Sequence, residues 1–269
     1  MATDPAQPVS VTDLLGRSKN RYIFLIGGGG KTTLMFALAN SLCRDGQKVI
    51  TTTSTKILYP SPETSPVIEI EENIDRLTPR VREQLRERPH VTVVSYHLAE
   101  EGKLCGFLAP ELDRLHQARM ADYIIVEADG AAGRSLKAHA DYEPVVSHQA
   151  DLVIAVVGID CVGKPLTDEH VHRRRRYSQL LDRPEGTPIT TEDIATLFFH
   201  PQGYMKAVGP QSEVTVFLSK VKTPADRTNA ETLAEALRNH DTTARITRIA
   251  VGDLVGPAPF LNVLDDKQR

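Results

Sequence analysis

The sequence predicts an α/β fold, a mostly parallel sheet flanked by helices, and three observations carry that expectation. Short apolar runs, among them Tyr22 to Ile26, Tyr123 to Val126 and Leu152 to Val157, read as buried strands. Segments of helical periodicity alternate with them. No linker-like change of composition divides the 269 residues, which suffice for a sizeable core. The expected organisation is a polar N-terminal lead over 1–20 and a single domain over 21–269 with inserted loops.

Residues 1–20 are polar, with one helical turn expected around Val11 to Leu15. Tyr22 to Ile26 is the first strand, four glycines follow, and Lys31-Thr32-Thr33 opens a helix. Leu34, Leu38 and Leu42 recur along one side of that helix, and Asp45-Gly46 ends it. Lys48 to Thr53 is the next strand, parallel to the first because a short helix joins them. Prolines make 59–66 a loop. Val67 to Ile70 is a short strand, Glu71 to Arg88 a charged helix, His90 to Ser95 a strand and Gly102 to Phe107 a hairpin or turn. Pro110 to Arg119 is a helix with its proline in the first turn. Tyr123 to Gly130 is a strand ending in two acids and a glycine, and Gly130 to Gln149 has too many polar breaks for a regular element. Leu152 to Gly158 is a strand, Asp168 begins a helix that runs through the arginines, and Thr190 or Thr191 caps another. His200 to Lys206 is a loop. Glu213 to Lys222, Pro224 to Asn239 and Arg245 to Val251 follow as strand, helix and strand.

The glycine stretch is the centre of the candidate site. Gly27, Gly28, Gly29 and Gly30 let backbone approach a polyphosphate and point N–H groups at it, and the helix start adds its positive dipole end. Lys31 reaches outer phosphates, the Thr32 hydroxyl suits Mg²⁺, and Thr33 completes the first turn. The loop is a variant form, since Leu25 stands where G-x-x-x-x-G-K-[ST] has its first glycine. Thr51 to Thr55 lie at the carboxyl end of the next strand, where open α/β sheets bind ligands. Thr53 or Thr55 and Lys56 are therefore candidates for contact with phosphate or Mg²⁺; threonines also favour strands for their own sake.

The second informative stretch is Val126-Glu-Ala-Asp-Gly130. Acids at such a strand end hold Mg²⁺ or its waters, and a following glycine senses the outer phosphate. Alternation puts Glu127 and Asp129 on one face, so Lys31, Glu127 and Asp129 form the candidate catalytic set and Thr32, Glu127 and Asp129 the candidate metal set, with Gly130 as a phosphate contact. The long segment after it carries Arg134, Lys137, His139, Glu143 and His148, and a loop of that length inside a domain is usually functional. Arg173 to Arg176 cannot share one helix face, so the run reads either as solvated charge or as a phosphate cluster; the roles of His139, His148 and His172 stay open. Ser219-Lys220 stands where guanine-specific nucleotidases carry Asn-Lys-x-Asp, but Lys222 cannot accept from guanine as a carboxylate does, so ATP and GTP stay open.

Apolar content of 41%, charged content of 25% and a net charge of -3 are ordinary for a soluble domain and give no reason to expect nucleic acid or an anionic membrane as partner. Cys43, Cys105 and Cys161 are far apart, which fits a reducing compartment rather than a disulfide framework. There is no apolar signal core and no run of the ~18 residues that span a bilayer. The expected location is cytoplasmic.

Taken together, Ile26-Gly-Gly-Gly-Gly-Lys-Thr-Thr33, Thr51-Thr-Thr-Ser-Thr-Lys56, Val126-Glu-Ala-Asp-Gly-Ala131, Leu136-Lys-Ala138, Glu143-Pro-Val145, Gly158-Ile-Asp160 and Val171-His-Arg173 resemble the YqeC-like family, accessory proteins of selenium-dependent molybdenum hydroxylases. The resemblance runs from about residue 20 to 222. It implies a P-loop NTPase-type fold and a role in making or inserting the selenium-containing molybdenum cofactor, with a molybdenum hydroxylase as client. Glu127-Ala-Asp-Gly130 is also similar to the Glu-x-x-Gly element of metallochaperone nucleotidases. Tyr142 stands where the family pattern has His, and Ser147 where it has Pro. Dimers are common among nucleotidases of this kind, but no stretch here specifies a homodimer. Two other readings remain open on the residues: an ATP-dependent transferase or ligase acting on a small anionic acceptor through Arg134, Lys137 and Arg173, and a nucleotide-binding adaptor without turnover.

Overall fold

The computed structural model describes residues 10–16, 21–255 and 259–266. Residues 1–9 and 17–20 of the expected polar lead lie outside them. Its first half runs β1 (Tyr22–Gly27), α1 (Lys31–Arg44), β2 (Val49–Thr53), β3 (Lys56–Leu58), β4 (Ile68–Ile70), α2 (Ile74–Glu87), β5 (His90–Val94), β6 (Tyr96–Leu98), β7 (Lys103–Cys105), α3 (Ala109–Gln117) and β8 (Tyr123–Glu127). The second half runs β9 (Leu136–Lys137), β10 (Leu152–Gly158), β11 (Val171–His172), α4 (Arg174–Leu181), α5 (Thr191–Phe199), β12 (Glu213–Ser219), α6 (Pro224–His240), β13 (Ile246–Asp253) and β14 (Phe260–Asp266).

Nine strands form one sheet in the order β14-β13-β12-β10-β1-β8-β2-β5-β4. Every neighbouring pair is parallel except β13 with β14. The fold is α/β with a mostly parallel sheet flanked by helices, as the alternation predicts. Strands β1 and β10 are buried along their whole length, which is why they read as unbroken apolar runs. Alternation then divides β1 between two cores. Tyr22, Phe24 and Ile26 pack with the apolar faces of α2, α3, α5 and α6. Ile23 and Leu25 pack on the other face with Leu34, Leu38 and Leu42 of α1 and with Leu14 and Leu15 of the expected turn, a 3-10 helix over Val11–Leu15.

Two findings differ from the sequence expectation. The segment from Asp168 is not helical until Arg174, because residues 170–172 pair instead with β9: Leu136 N–H donates to the His170 carbonyl and Ala138 N–H to that of His172, each at 3.1 Å. Arg173 sits at φ +63° as the residue before α4. Gly102 to Phe107 holds one strand rather than a hairpin: β7 pairs with β6 and β3, outside that stretch, in a separate antiparallel sheet, β3-β7-β6. Among the described residues no helix is long and apolar enough to cross a membrane.

The chain leaves β1 for β2 with β8 later filling the gap between them, then leaves β8 for β10 on the opposite side of β1. The carboxyl end of β1 is therefore where the direction of winding reverses, the place where open α/β sheets form a crevice. The four glycines begin there.

Candidate functional site

The glycine loop is held at its start and open at its end. Gly28 N–H donates to the Val156 carbonyl (3.0 Å) and Gly29 N–H to that of Arg134 (2.8 Å), while the Ser219 hydroxyl donates to the Gly29 carbonyl (2.5 Å). Gly29 has φ +82°, and a Cβ there would lie 2.4 Å from the Gly158 nitrogen. Gly30 has φ +107° and faces open space. The N–H groups of Gly30, Lys31, Thr32 and Thr33 have no acceptor among the described residues. They head the 14-residue α1, so four donors and the positive end of the helix dipole point into the same opening.

Lys31 is 3% exposed, and its ammonium donates to the Gly27 carbonyl at 2.6 Å. It stands 3.0 Å from Asp129 Oδ1 and 3.8 Å from Glu127 Oε1. The Thr32 hydroxyl donates to Glu127 Oε2 at 2.6 Å. Three of the sequence candidates thus converge on Lys31 and Thr32, and the two acids differ in partner. Glu127 faces Thr32. Asp129 Oδ2 accepts from Gly27 N–H (3.0 Å), lies 2.6 Å from His139 Nε2 and 3.6 Å from Lys137 Nζ.

Their protonation follows from these surroundings. Burial raises the Glu127 pKa, and Lys31 and Thr32 offset only part of that. Burial acts on Asp129 in the same direction, but Lys31, His139 and Lys137 outweigh it and hold the carboxyl far below the usual range. Burial lowers His139, leaving a neutral imidazole that must carry its proton on Nε2 to donate to Asp129. Burial opposes the charge on Lys31 too, yet the two carboxylates raise it. Two acids two residues apart are therefore pushed in opposite directions, a pattern that separates their roles.

The long segment after Gly130 supplies the second layer. Lys137 is fully buried, with its ammonium 2.9 Å from Glu143 Oε2 and 2.5 Å from the Gly130 carbonyl. Glu143 also accepts from Arg173, whose other nitrogen donates to the Tyr142 hydroxyl at 3.3 Å. Of the arginine run only Arg173 joins this network. Arg174 pairs with Asp168 and Glu185, Arg176 with Asp141, and Arg175 is exposed. His148 is exposed; His172 is half-buried, and burial together with Arg173 pulls it down to about 4. Ser147 donates to Asp113, well inside the fold.

Other candidates lie outside the opening. The Thr53 hydroxyl donates to the Glu127 carbonyl (2.8 Å) and accepts from Thr55 N–H (3.0 Å), so it fixes the strand end. Lys56 is half-exposed on β3 and pairs with Glu101 at 3.2 Å. Gly130 contributes its carbonyl to Lys137, and Thr33 offers the opening its backbone N–H alone, the residue being exposed on the first turn of α1. Tyr204 was not legible from the chain. It is fully buried against Gly27, with its ring edge-on to His139 at 4.7 Å, and the only local signal is Gly203, where a Cβ would meet the Leu197 carbonyl.

The Mg²⁺ expected from the motif finds hard oxygen donors in Thr32 and Glu127, side by side at the mouth of the loop. Among the described residues no three His, Cys, Asp or Glu side chains are arranged to hold a metal. The ion would take most of its ligands from phosphate and water, as Mg²⁺ commonly does.

The family model described as YqeC protein matches residues 23–175, more than half of the chain and the whole of the site except Tyr204 and Ser219. The chain belongs to the YqeC family. A relative within the YqeC family, "Uncharacterized protein YqeC" of Escherichia coli (strain K12), is 30% identical over 251 residues, covering 91% of each chain. Among solved structures, the signal recognition particle 54 kDa protein of Aeropyrum pernix K1 in complex with GDP is similar at TM-score 0.39 and 18% identity. That match covers 91% of this YqeC chain, which spans 45% of the length of the archaeal one.

Proposed function

We propose that this chain binds a Mg²⁺-nucleoside triphosphate at Gly27 to Thr33, hydrolyses it, and so drives the maturation or insertion of the molybdenum cofactor of a molybdenum hydroxylase, with or without selenium. The observation that supports it most is the set of four N–H groups at the head of α1 with no acceptor among the described residues, flanked by Lys31 and by Thr32 with Glu127, at the reversal of the sheet. Donors fixed before the ligand arrives stabilise developing phosphate charge without reorganising. Lys31 neutralises charge on the outer phosphates, and the Thr32 hydroxyl, oriented by Glu127, holds the metal side of the ligand. Mg²⁺, which the Thr32 hydroxyl and Glu127 would hold, would supply positive charge against the negative charge developing on the phosphates. The link to molybdenum hydroxylases rests on the motifs that resemble the YqeC-like family, among them Val126-Glu-Ala-Asp-Gly-Ala131 and Glu143-Pro-Val145. Lys137 and Arg173, the basic residues that an anionic acceptor would need, are committed to Glu143, so a transferase is less well supported.

The test is thermal stability and phosphate release with ATP, GTP, CTP and their diphosphates, with and without Mg²⁺, on wild type and Lys31→Ala. A ligand at 100 times its Kd stabilises by about 2.7 kcal/mol, a readily visible shift in Tm. A triphosphate-selective shift and Mg²⁺-dependent release, both lost in Lys31→Ala, are expected. Equal shifts in the two proteins would sink the site, and binding without release, client present or absent, would make the chain an adaptor.

A further inference from the structure

The phosphate-binding reading leaves one feature of the loop unused: its lysine already has an anion. Asp129 lies at 1% exposure with Oδ1 3.0 Å from Lys31 and Oδ2 on Gly27 N–H, inside a shell completed by His139 and Lys137. This is a lysine and a loop N–H closed around a carboxylate, the same two kinds of donor that a phosphate requires. An incoming polyphosphate meets Asp129 as a like charge across Lys31, in surroundings too dry to screen it.

We propose that Asp129 is an internal occupant of the phosphate loop, a latch that Lys31 leaves when a nucleotide phosphate binds, and that Lys137 receives. The inference rests on the phosphate site proposed above and names how it is regulated. Lys137 is placed for the exchange, 3.6 Å from Asp129 and 2.9 Å from Glu143, so a small shift moves it from one carboxylate to the other. Glu143 then retains Arg173, whose guanidinium reaches Tyr142, and Tyr142 is 74% exposed. A chain of ionic contacts thus runs from the loop to the surface, with two arrangements that differ in which cation Asp129 holds. Its inner members, Lys31, Asp129, Lys137 and Glu143, are buried, so each exchange must keep their charges paired, and the contacts move together. In the latched arrangement the site charges each ligand for opening, and apparent affinity falls by the open fraction.

The experiment measures affinity for the preferred nucleoside triphosphate and for pyrophosphate in wild type, Asp129→Asn and Glu143→Gln. It adds a fluorescence reporter at the far end. The chain has no tryptophan, so Tyr142→Trp supplies a single fluorophore beside Arg173, and Tyr59→Trp, exposed just after β3, is its control. Asp129→Asn removes the competing charge and is expected to bind both ligands about tenfold more tightly than wild type. Glu143→Gln frees Lys137 for Asp129 and tightens binding in the same direction, which keeps the test alive if Asp129→Asn does not fold. Triphosphate is expected to shift the emission of Tyr142→Trp and leave that of Tyr59→Trp unchanged. Weaker binding in both charge variants while wild type binds normally would overturn the latch and leave the phosphate site standing, as would an unmoved Tyr142→Trp signal at saturation. Binding by none of the proteins would remove both.

Discussion

A lysine held at 3% exposure keeps its charge only because Asp129 and Glu127 stand beside it. Removing one member of a buried ion pair commonly costs about 3–5 kcal/mol. Asp129 retains Gly27 N–H, His139 and Lys137, so Lys31→Ala should fall at the low end of that range, about 3 kcal/mol, while losing all nucleotide-dependent stabilisation. Denaturant unfolding with and without ligand separates the two effects. His90 offers a second residue-level prediction. It is 3% exposed with Nε2 2.9 Å from the Thr51 hydroxyl, and burial holds its pKa down at about 4. An unfolded histidine titrates near 6.5, so the unfolded chain takes up the proton first as pH falls. The stability due to neutral His90 is therefore complete above about pH 6.5 and is lost as pH drops toward 4, by roughly 3 kcal/mol in all. His90→Gln, measured across the same range, should show a shallower fall of Tm; parallel curves would remove His90 from the acid response.

At the scale of elements, the loop is positioned by three strands and one connection. Backbone from β10 and from Arg134 accepts the Gly28 and Gly29 N–H groups, and Gly158 N–H donates to the Ser135 carbonyl at 2.8 Å. A Cβ at Gly28 would stand 2.7 Å from the Arg134 carbonyl oxygen and 2.9 Å from that of Ser135. Gly28→Ala should then lift the 134–135 connection off the loop, lowering stability by about 1–3 kcal/mol and weakening nucleotide binding through the loss of that support. Unchanged binding and stability, read by calorimetry, would mean that the connection does not shape the loop. The helix expected from Asp168 illustrates the same point. Its arginines have helical propensity, but pairing with Leu136–Lys137 satisfies the backbone of residues 170–172 in extended form, and α4 starts only after Arg173 turns to Glu143.

At the scale of the whole molecule, the proposed role makes a prediction outside the chain itself. Cells lacking this protein should yield molybdenum hydroxylase with less cofactor and lower activity, and Lys31→Ala should fail to restore it; full cofactor content in both would remove the client. What the sequence by itself determined is the alternation of elements, the parallel sheet, and the pairing of the glycine loop with the acids at the carboxyl end of β8. Those follow from local signals: apolar runs, helical periodicity, glycines before Lys-Thr-Thr, and acids at a strand end. Tertiary structure alone decided which acid serves which partner, because Glu127 and Asp129 are alike in sequence and differ only in what surrounds them. It also decided that Lys137, His139 and Arg173 join the site while Lys56 pairs with Glu101 on the inserted sheet. Tyr204 closes on Gly27 from about 177 positions away. Contacts of that separation depend on strand order and crossover, and no window of sequence holds both partners.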